Sequence, residues 1–147
     1  MSFEPATAFH FRVSFGGQSS VDTSFQEVSG IGAKVEIEKV PEGGQDDRIL
    51  PLRSTYQNLV LKRGIVGLDS ELVKWCETWM SAWRTGAKVT TKDVLVSLLD
   101  KDQNPMHSWS FAEAYPVEWG LGALDAQKNE VAIETIELTY QYWVRVK

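Results

Sequence analysis

Cysteine is almost missing from this chain: Cys76 stands alone among 147 residues. An intrachain disulfide is therefore excluded, thiolates cannot build a metal cluster, and the composition fits synthesis in a reducing compartment. Histidine is nearly as scarce. His10 and His107 each sit in a strand-like stretch with no third ligand at a recognised metal spacing, so a zinc site is not expected. No run approaches the roughly 18 apolar residues of a spanning helix, and stable membrane insertion is not expected. The start, Met1-Ser2-Phe3-Glu4-Pro5, lacks a basic region followed by an apolar one, which argues against export by the general secretion route. A basic excess is missing too. With 15 Lys and Arg against 20 Asp and Glu, a net charge of -5 disfavours a dedicated nucleic-acid binder, although an acidic surface lets DNA pass without holding it. Internal repeats and low-complexity segments are absent.

What is present suits one domain over residues 1–147, large enough to bury roughly two thirds of the surface of its unfolded form. Hydrophobic content of 43% and charged content of 24% are those of an ordinary globular protein. Six tryptophans are the compositional excess. They carry large apolar area and gather at subunit interfaces when a single chain cannot bury them.

Along the chain, Phe9, Phe11, Val13 and Phe15 alternate with His10, Arg12 and Ser14 as in a half-buried strand that ends at Gly16-Gly17. From Phe25 to Glu38 the pattern reads as one long strand bent at Gly30 and Gly32. Pro41 to Thr55, with Gly43, Gly44, Asp46, Asp47 and Pro51, reads as a long loop, and loops above about 12 residues in a compact domain tend to be functional or disordered. A strand from Tyr56 to Arg63 follows, ended by Gly64.

One helix is predicted over Asp69 to Arg84. Leu72, Trp75, Cys76, Trp79 and Trp83 fall at i, i+3, i+4, i+7 and i+11, placing all five on a core-facing stripe. Asp69 is the expected N-cap, Leu68 and Val73 the expected hydrophobic staple, and Gly86 the left-handed stop. Val94 to Leu99 then forms a hairpin through Asp100–Pro105 with a strand whose core side is Trp109, Phe111, Tyr115, Val117 and Trp119. After a turn region from Gly120 to Asn129, apolar parity switches between Ile133 and Ile136, which predicts a bulge there. About six strands and one helix result: a mainly β protein, a small antiparallel β-barrel or sandwich with a flanking α-helix.

Chemistry is hard to assemble from these residues. Cys76 lies on the apolar helix face, where a thiol is buried and inert. Asp46-Asp47 and Asp100-Lys101-Asp102 lack the ordered oxygen series of a calcium loop. Neither Gly16-Gly17 nor Gly43-Gly44 opens a helix or precedes a Lys-Ser/Thr pair, so neither is a phosphate cradle. Glu36 and Glu38 share a strand face, an arrangement met in glycoside chemistry but more often a polar wall. No catalytic, cofactor or metal residue is nominated.

Several segments share a different signature. Glu27-Val28-Ser29-Gly30-Ile31-Gly32, then Val35 to Glu38, Glu42-Gly43-Gly44 and Asn58-Leu59-Val60-Leu61-Lys62-Arg63-Gly64 come in a characteristic order. They continue through Leu72-Val73-Lys74-Trp75, Ala114 to Trp119 and Glu130 to Leu138. Together they resemble the tail-tube (inner-tube) family of contractile phage tails and extracellular contractile injection systems.

That resemblance implies a structural role. Subunits of the family form six-membered rings that stack into a hollow tube, and strands of neighbouring subunits join into one closed barrel around the channel. Ring closure would also pair the strand edges that otherwise invite aggregation. Sheath contraction drives the tube through a target envelope with DNA or a protein effector in its lumen. The partners implied are further copies of the chain, a sheath, a baseplate or tube initiator, and a cap. Such a subunit is made in the bacterial cytoplasm and ends in a virion tail or an injection particle.

By the same resemblance, 41–55 matches the extended loop that reaches an adjacent ring. Its stacking residues here are Glu42, Gly43, Gly44, Asp46, Asp47, Arg48, Leu50 and Pro51, with Leu52 where relatives continue with glycine. Lys34, Glu36, Glu38 and Lys62 are the candidates for the lumen wall. Two other readings stand beside the main one: a tube-initiating or tube-capping paralogue, and a monomeric β-sandwich carbohydrate-binding module using Trp109, Trp119 or Trp143 as a stacking platform.

Overall fold

The computed structural model describes residues 10–15, 20–44, 46–65, 70–128 and 132–147. Phe9, Gly16, Gly17, Leu68, Asp69, Asn129 and Val131, which figure in the expectations above, lie outside them. In chain order the elements are β1 (His10–Phe15), β2 (Ser20–Phe25), β3 (Glu27–Ser29), β4 (Lys34–Val40), β5 (Arg48–Thr55) and β6 (Leu59–Gly64). Then come α1 (Glu71–Thr85), β7 (Lys92–Leu99), β8 (Pro105–Leu121), β9 (Ile133–Thr139) and β10 (Trp143–Arg145).

Every recorded strand pairing is antiparallel. The main sheet runs β2-β1-β7-β8-β9-β6-β3, with β10 added on β8. The 17-residue β8 pairs with β7 along its first half and with β9 along its second. The sheet rolls until β2, from one end, contacts β6 near the other, and the Gln26 amide donates to the Lys62 carbonyl at 2.9 Å. Inside this roll Val13, Phe25, Leu59, Leu61, Val94, Val96, Phe111, Ile136 and Leu138 are fully buried. Leu72 and Cys76 of α1 close it.

Several expectations need correction. The segment from Phe25 to Glu38 is not one bent strand: β3 pairs with β6 in the main sheet, whereas β4 pairs with β5 in a separate two-stranded sheet. Gly30 makes the break. Its φ is +93°, and a Cβ there would overlap the Asn58 carbonyl oxygen, so only glycine lets the chain leave β3 so close to the start of β6. The predicted long loop is a loop only to residue 47, because Arg48–Thr55 is a strand facing β4. Pro51 fits there, since a two-stranded ribbon consists of edge strands. Among the described residues ten strands therefore stand where about six were expected.

The face assignment of β8 also changes. Glu113 has φ +50° and the β7–β8 register shifts between Lys92 and Val94, so the inward parity passes from Phe111 to Ala114 and Pro116. Val117 is consequently exposed, and Trp109, Tyr115 and Trp119 are only partly buried. No bulge interrupts β9 between Ile133 and Ile136, where the register with β6 is continuous. Glu134 occupies the inward position and Ile133 faces out.

Candidate assembly surfaces

α1 shows how side chains fix the elements around the sheet. Ser70, not Asp69, is the N-cap: its backbone is extended and its Oγ accepts from the Val73 amide at 3.2 Å. Gly86 closes the helix at φ 71°, donating to the Ala82 carbonyl. Of the predicted stripe, Leu72, Trp75 and Cys76 are buried, and Trp79 is partly buried with its ring stacked on Tyr115 at 4.7 Å. Trp83 does not belong to the buried stripe: in the last turn of the fifteen-residue helix it is 85% exposed. Burial pushes the Cys76 thiol up to about 12, with Glu134 adding to the effect, so it is no nucleophile. Among the described residues no group of three His, Cys, Asp or Glu stands close enough to hold a metal ion. No described helix is long and apolar enough to cross a membrane.

Beneath the helix lies a buried ionic cluster. Arg63 on β6 and Glu134 on β9 are direct cross-strand partners, and Arg63 Nε donates to Glu134 Oε2 at 3.1 Å. Arg63 Nη1 donates to Asp22 Oδ1 on β2 at 2.8 Å, and Nη2 to Ser70 Oγ at 2.9 Å. Asp22 Oδ2 accepts from the Leu72 amide in the first helical turn, and Glu134 Oε1 accepts from the Trp119 indole at 2.6 Å. The guanidinium also lies 4.3 Å from the centre of the Phe25 ring. One side chain thus joins two distant strands of the roll to the helix N-terminus. Sequence reasoning passed over this cluster, although Arg63 shares inward parity with Leu59 and Leu61, and Glu134 with Ile136 and Leu138.

The β4–β5 hairpin is the outward feature. Cross-strand partners Ile37 and Pro51, with Lys39 and Ile49, put one side of the ribbon opposite Lys34, Glu36 and Glu38. Val35, Ile37, Ile49 and Leu52 are each more than half exposed. The apolar side of β4 therefore stays uncovered. At the root the hairpin is held from both sides. The Trp143 indole donates to the Gly32 carbonyl at 2.8 Å before β4, and the Tyr140 hydroxyl donates to the Gln57 carbonyl at 2.7 Å after β5. Burial, with Tyr56 nearby, raises the Tyr140 phenol above its ordinary pKa.

The nominated stacking residues divide between the two parts of this ribbon. Glu42, Gly43, Gly44, Asp46 and Asp47 form its exposed connection, whereas Arg48, Leu50 and Pro51 lie on β5. Arg48 Nη1 stands 3.6 Å from Glu42 Oε1. Of the lumen candidates, Lys34, Glu36 and Glu38 share one side of β4, with Glu36 3.5 Å from Arg53. Lys62 sits on β6 of the other sheet and pairs with Glu27 at 3.5 Å. The platforms of the carbohydrate reading, Trp109, Trp119 and Trp143, are each partly buried, and Trp119 and Trp143 donate their indole N–H groups within the chain.

The sequence that folds this way matches a known family. The model of the T4-like virus tail tube protein gp19 family aligns with residues 7–144. The chain belongs to this tail tube family. Solved structures agree with the family fold. A chain of the anti-feeding prophage (AFP) baseplate structure, 6-fold symmetrised, is 27% identical, with TM-score 0.74 over 99% of this chain and 97% of that one. A chain of the sheath-tube complex of PVC, an extracellular contractile injection system, in its extended state is 22% identical, with TM-score 0.75 over 96% of this chain and 89% of that one. A chain of the PVC sheath/tube terminator structure is 21% identical, with TM-score 0.75 over 100% of this chain and 99% of that one. No curated protein sequence matches at a significant level.

Proposed function

We propose that the chain is a structural subunit of the inner tube of a contractile phage tail or contractile injection system. Six copies close into a ring, and rings stack into a hollow conduit for DNA or a protein effector. A surrounding sheath contracts and drives the conduit through the target envelope. The observation that carries this reading, beside family membership, is the uncovered side of the β4–β5 hairpin. Three apolar side chains on that side, Val35, Ile37 and Ile49, meet water in the isolated subunit. Each is already nearly half buried, so covering the rest is worth roughly 1 kcal/mol per side chain, and a neighbouring copy that covers them supplies what the subunit leaves undone.

The role is mechanical and calls for no catalysis or cofactor. Rigidity comes from the rolled sheet and from contacts repeated around each ring, so that modest single contacts accumulate. Lys34, Glu36, Glu38 and Lys62 are the proposed lumen wall, and residues 41–55 the contact to the adjacent ring. In the wall, paired charges of both signs leave little net attraction for a passing polyanion. The partners proposed are the sheath, a baseplate or tube initiator, and a cap; the subunit is made in the bacterial cytoplasm and works in the assembled particle.

A second reading within the family is favoured by one observation: the 27%-identical chain comes from a baseplate structure. A tube-initiating or capping paralogue would form the ring without propagating it. Negative-stain microscopy of the purified chain at rising concentration separates the two. Tubes of uniform width support the main tube role, and isolated rings that do not lengthen even on an added baseplate support the paralogue.

A further inference from the structure

Against α1 lies a pocket of about 270 Å³ whose floor is aromatic and whose rim is basic. Phe15 and Trp75 stack at 5.6 Å, and the Trp75 and Trp79 indoles both donate to the Thr90 carbonyl, which fixes the floor. Lys74, Lys88 and Lys92 surround it. Lys74 is shared with Glu71 at 3.4 Å and Lys92 lies over the Phe15 ring, whereas Lys88 has no carboxylate partner among the described residues. Three lysines against Glu71 leave two positive charges here, in a chain whose formal charge is -5.

The hairpin connection has the opposite balance. Glu42, Asp46 and Asp47 against Arg48 leave two negative charges, all on exposed residues. A Cβ added at Gly43 or Gly44 would meet nothing within 4 Å, so both glycines stand clear of the rest of the subunit. Among the described residues β4 and β5 pair only with each other, whereas α1, β1, β7 and the segment before β7 build the pocket.

We propose that the acidic hairpin tip of one copy, Glu42 with Asp46 and Asp47, docks into the Lys74–Lys88–Lys92 pocket of a second copy. The inference rests on the tube reading and names the contact by which that assembly propagates. Two different patches of one chain that fit each other form a heterologous contact, which repeats from copy to copy instead of closing on a pair. Opposite charges set its register and make it weaken with salt.

The test uses the full chain in three forms: Lys88→Glu with Lys92→Glu, Glu42→Lys with Asp46→Lys and Asp47→Lys, and the combined swap. Thermal melts first establish that each is folded. The account predicts that each half-swap loses tubes while six-fold rings persist, and that the combined swap recovers them. Asp46→Cys with Lys88→Cys should give a disulfide ladder between subunits under mild oxidation, with either cysteine alone giving none; a half-swap that fails to fold leaves this ladder as the deciding result. Tubes that form normally in both half-swaps, or a disulfide only within single chains, would overturn the docking while leaving the tube reading intact. A wild-type chain that makes neither rings nor tubes overturns both.

Discussion

The indole of Trp143 donates its N–H to the carbonyl of Gly32, 111 residues earlier, at 2.8 Å. Together with the Tyr140 hydroxyl on Gln57, this bond holds the β4–β5 ribbon at both ends of its root while the ribbon itself touches solvent on its apolar side. The arrangement aims an otherwise unsupported hairpin in a fixed direction, as a subunit that must meet its neighbours in register requires.

Loosening that root should therefore affect assembly more than folding. In Trp143→Phe the ring area is largely kept and one hydrogen bond is lost, a cost of about 0.5–1.5 kcal/mol. The expected outcome is a melting temperature lowered by a few degrees and slower assembly, read by light scattering. Gly30→Ala should be more severe, because the new Cβ meets the Asn58 carbonyl at a left-handed φ, whereas Gly43→Ala, with open space around it, should be near neutral in urea titrations.

Arg63 gives a sharper stability test. Arg63→Met leaves Asp22 and Glu134 buried without their cation, and removing one partner of such a pair costs about 3–5 kcal/mol. Equilibrium urea unfolding should show a loss of that order. Replacing Arg63, Asp22 and Glu134 together by apolar residues of similar volume should recover much of it.

The uncovered hairpin side should behave in the reverse way. Ile37→Ser with Ile49→Ser changes residues that are 56% and 58% exposed, so the isolated subunit should keep its stability within about 0.5 kcal/mol each. Sedimentation should nonetheless show assembly lost. A double variant that assembles like the wild type would remove the hairpin from the interface.

Cys76 supplies a pH dependence. Its thiol is raised from 9.0 to about 12 in the folded chain, so between those values the unfolded chain gives up a proton that the folded one keeps. The unfolded state then binds fewer protons, and this group's contribution is fully present below pH 9.0 and lost as the pH rises toward about 12. Cys76→Ala should flatten that part of the stability curve. At pH 8 a thiol reagent should label the wild type only as fast as it unfolds.

Much of this fold was legible in the sequence. The helix, its left-handed stop at Gly86, the Asp100–Pro105 hairpin and the β1 alternation all follow from local periodicity and turn chemistry. What escaped depends on contacts remote in sequence. The bulge at Glu113 that re-aims β8, and the inward Arg63 opposite an inward Glu134, are set by strands brought together only in the fold. Trp83 matched the helical period but is exposed, because periodicity names a face of the helix and not which of its turns the sheet covers. The 48–55 strand was hidden by Pro51 and the glycines before it, since a ribbon that pairs only with itself needs no buried face.

Electron cryo-microscopy of the concentrated protein, imaged along and across any particles formed, tests the central claim most directly. The account predicts six-fold end views and stacked rings in which each hairpin's Val35, Ile37 and Ile49 lie against a neighbouring copy. A uniform monomer at high concentration, unchanged by an added baseplate template, would contradict it.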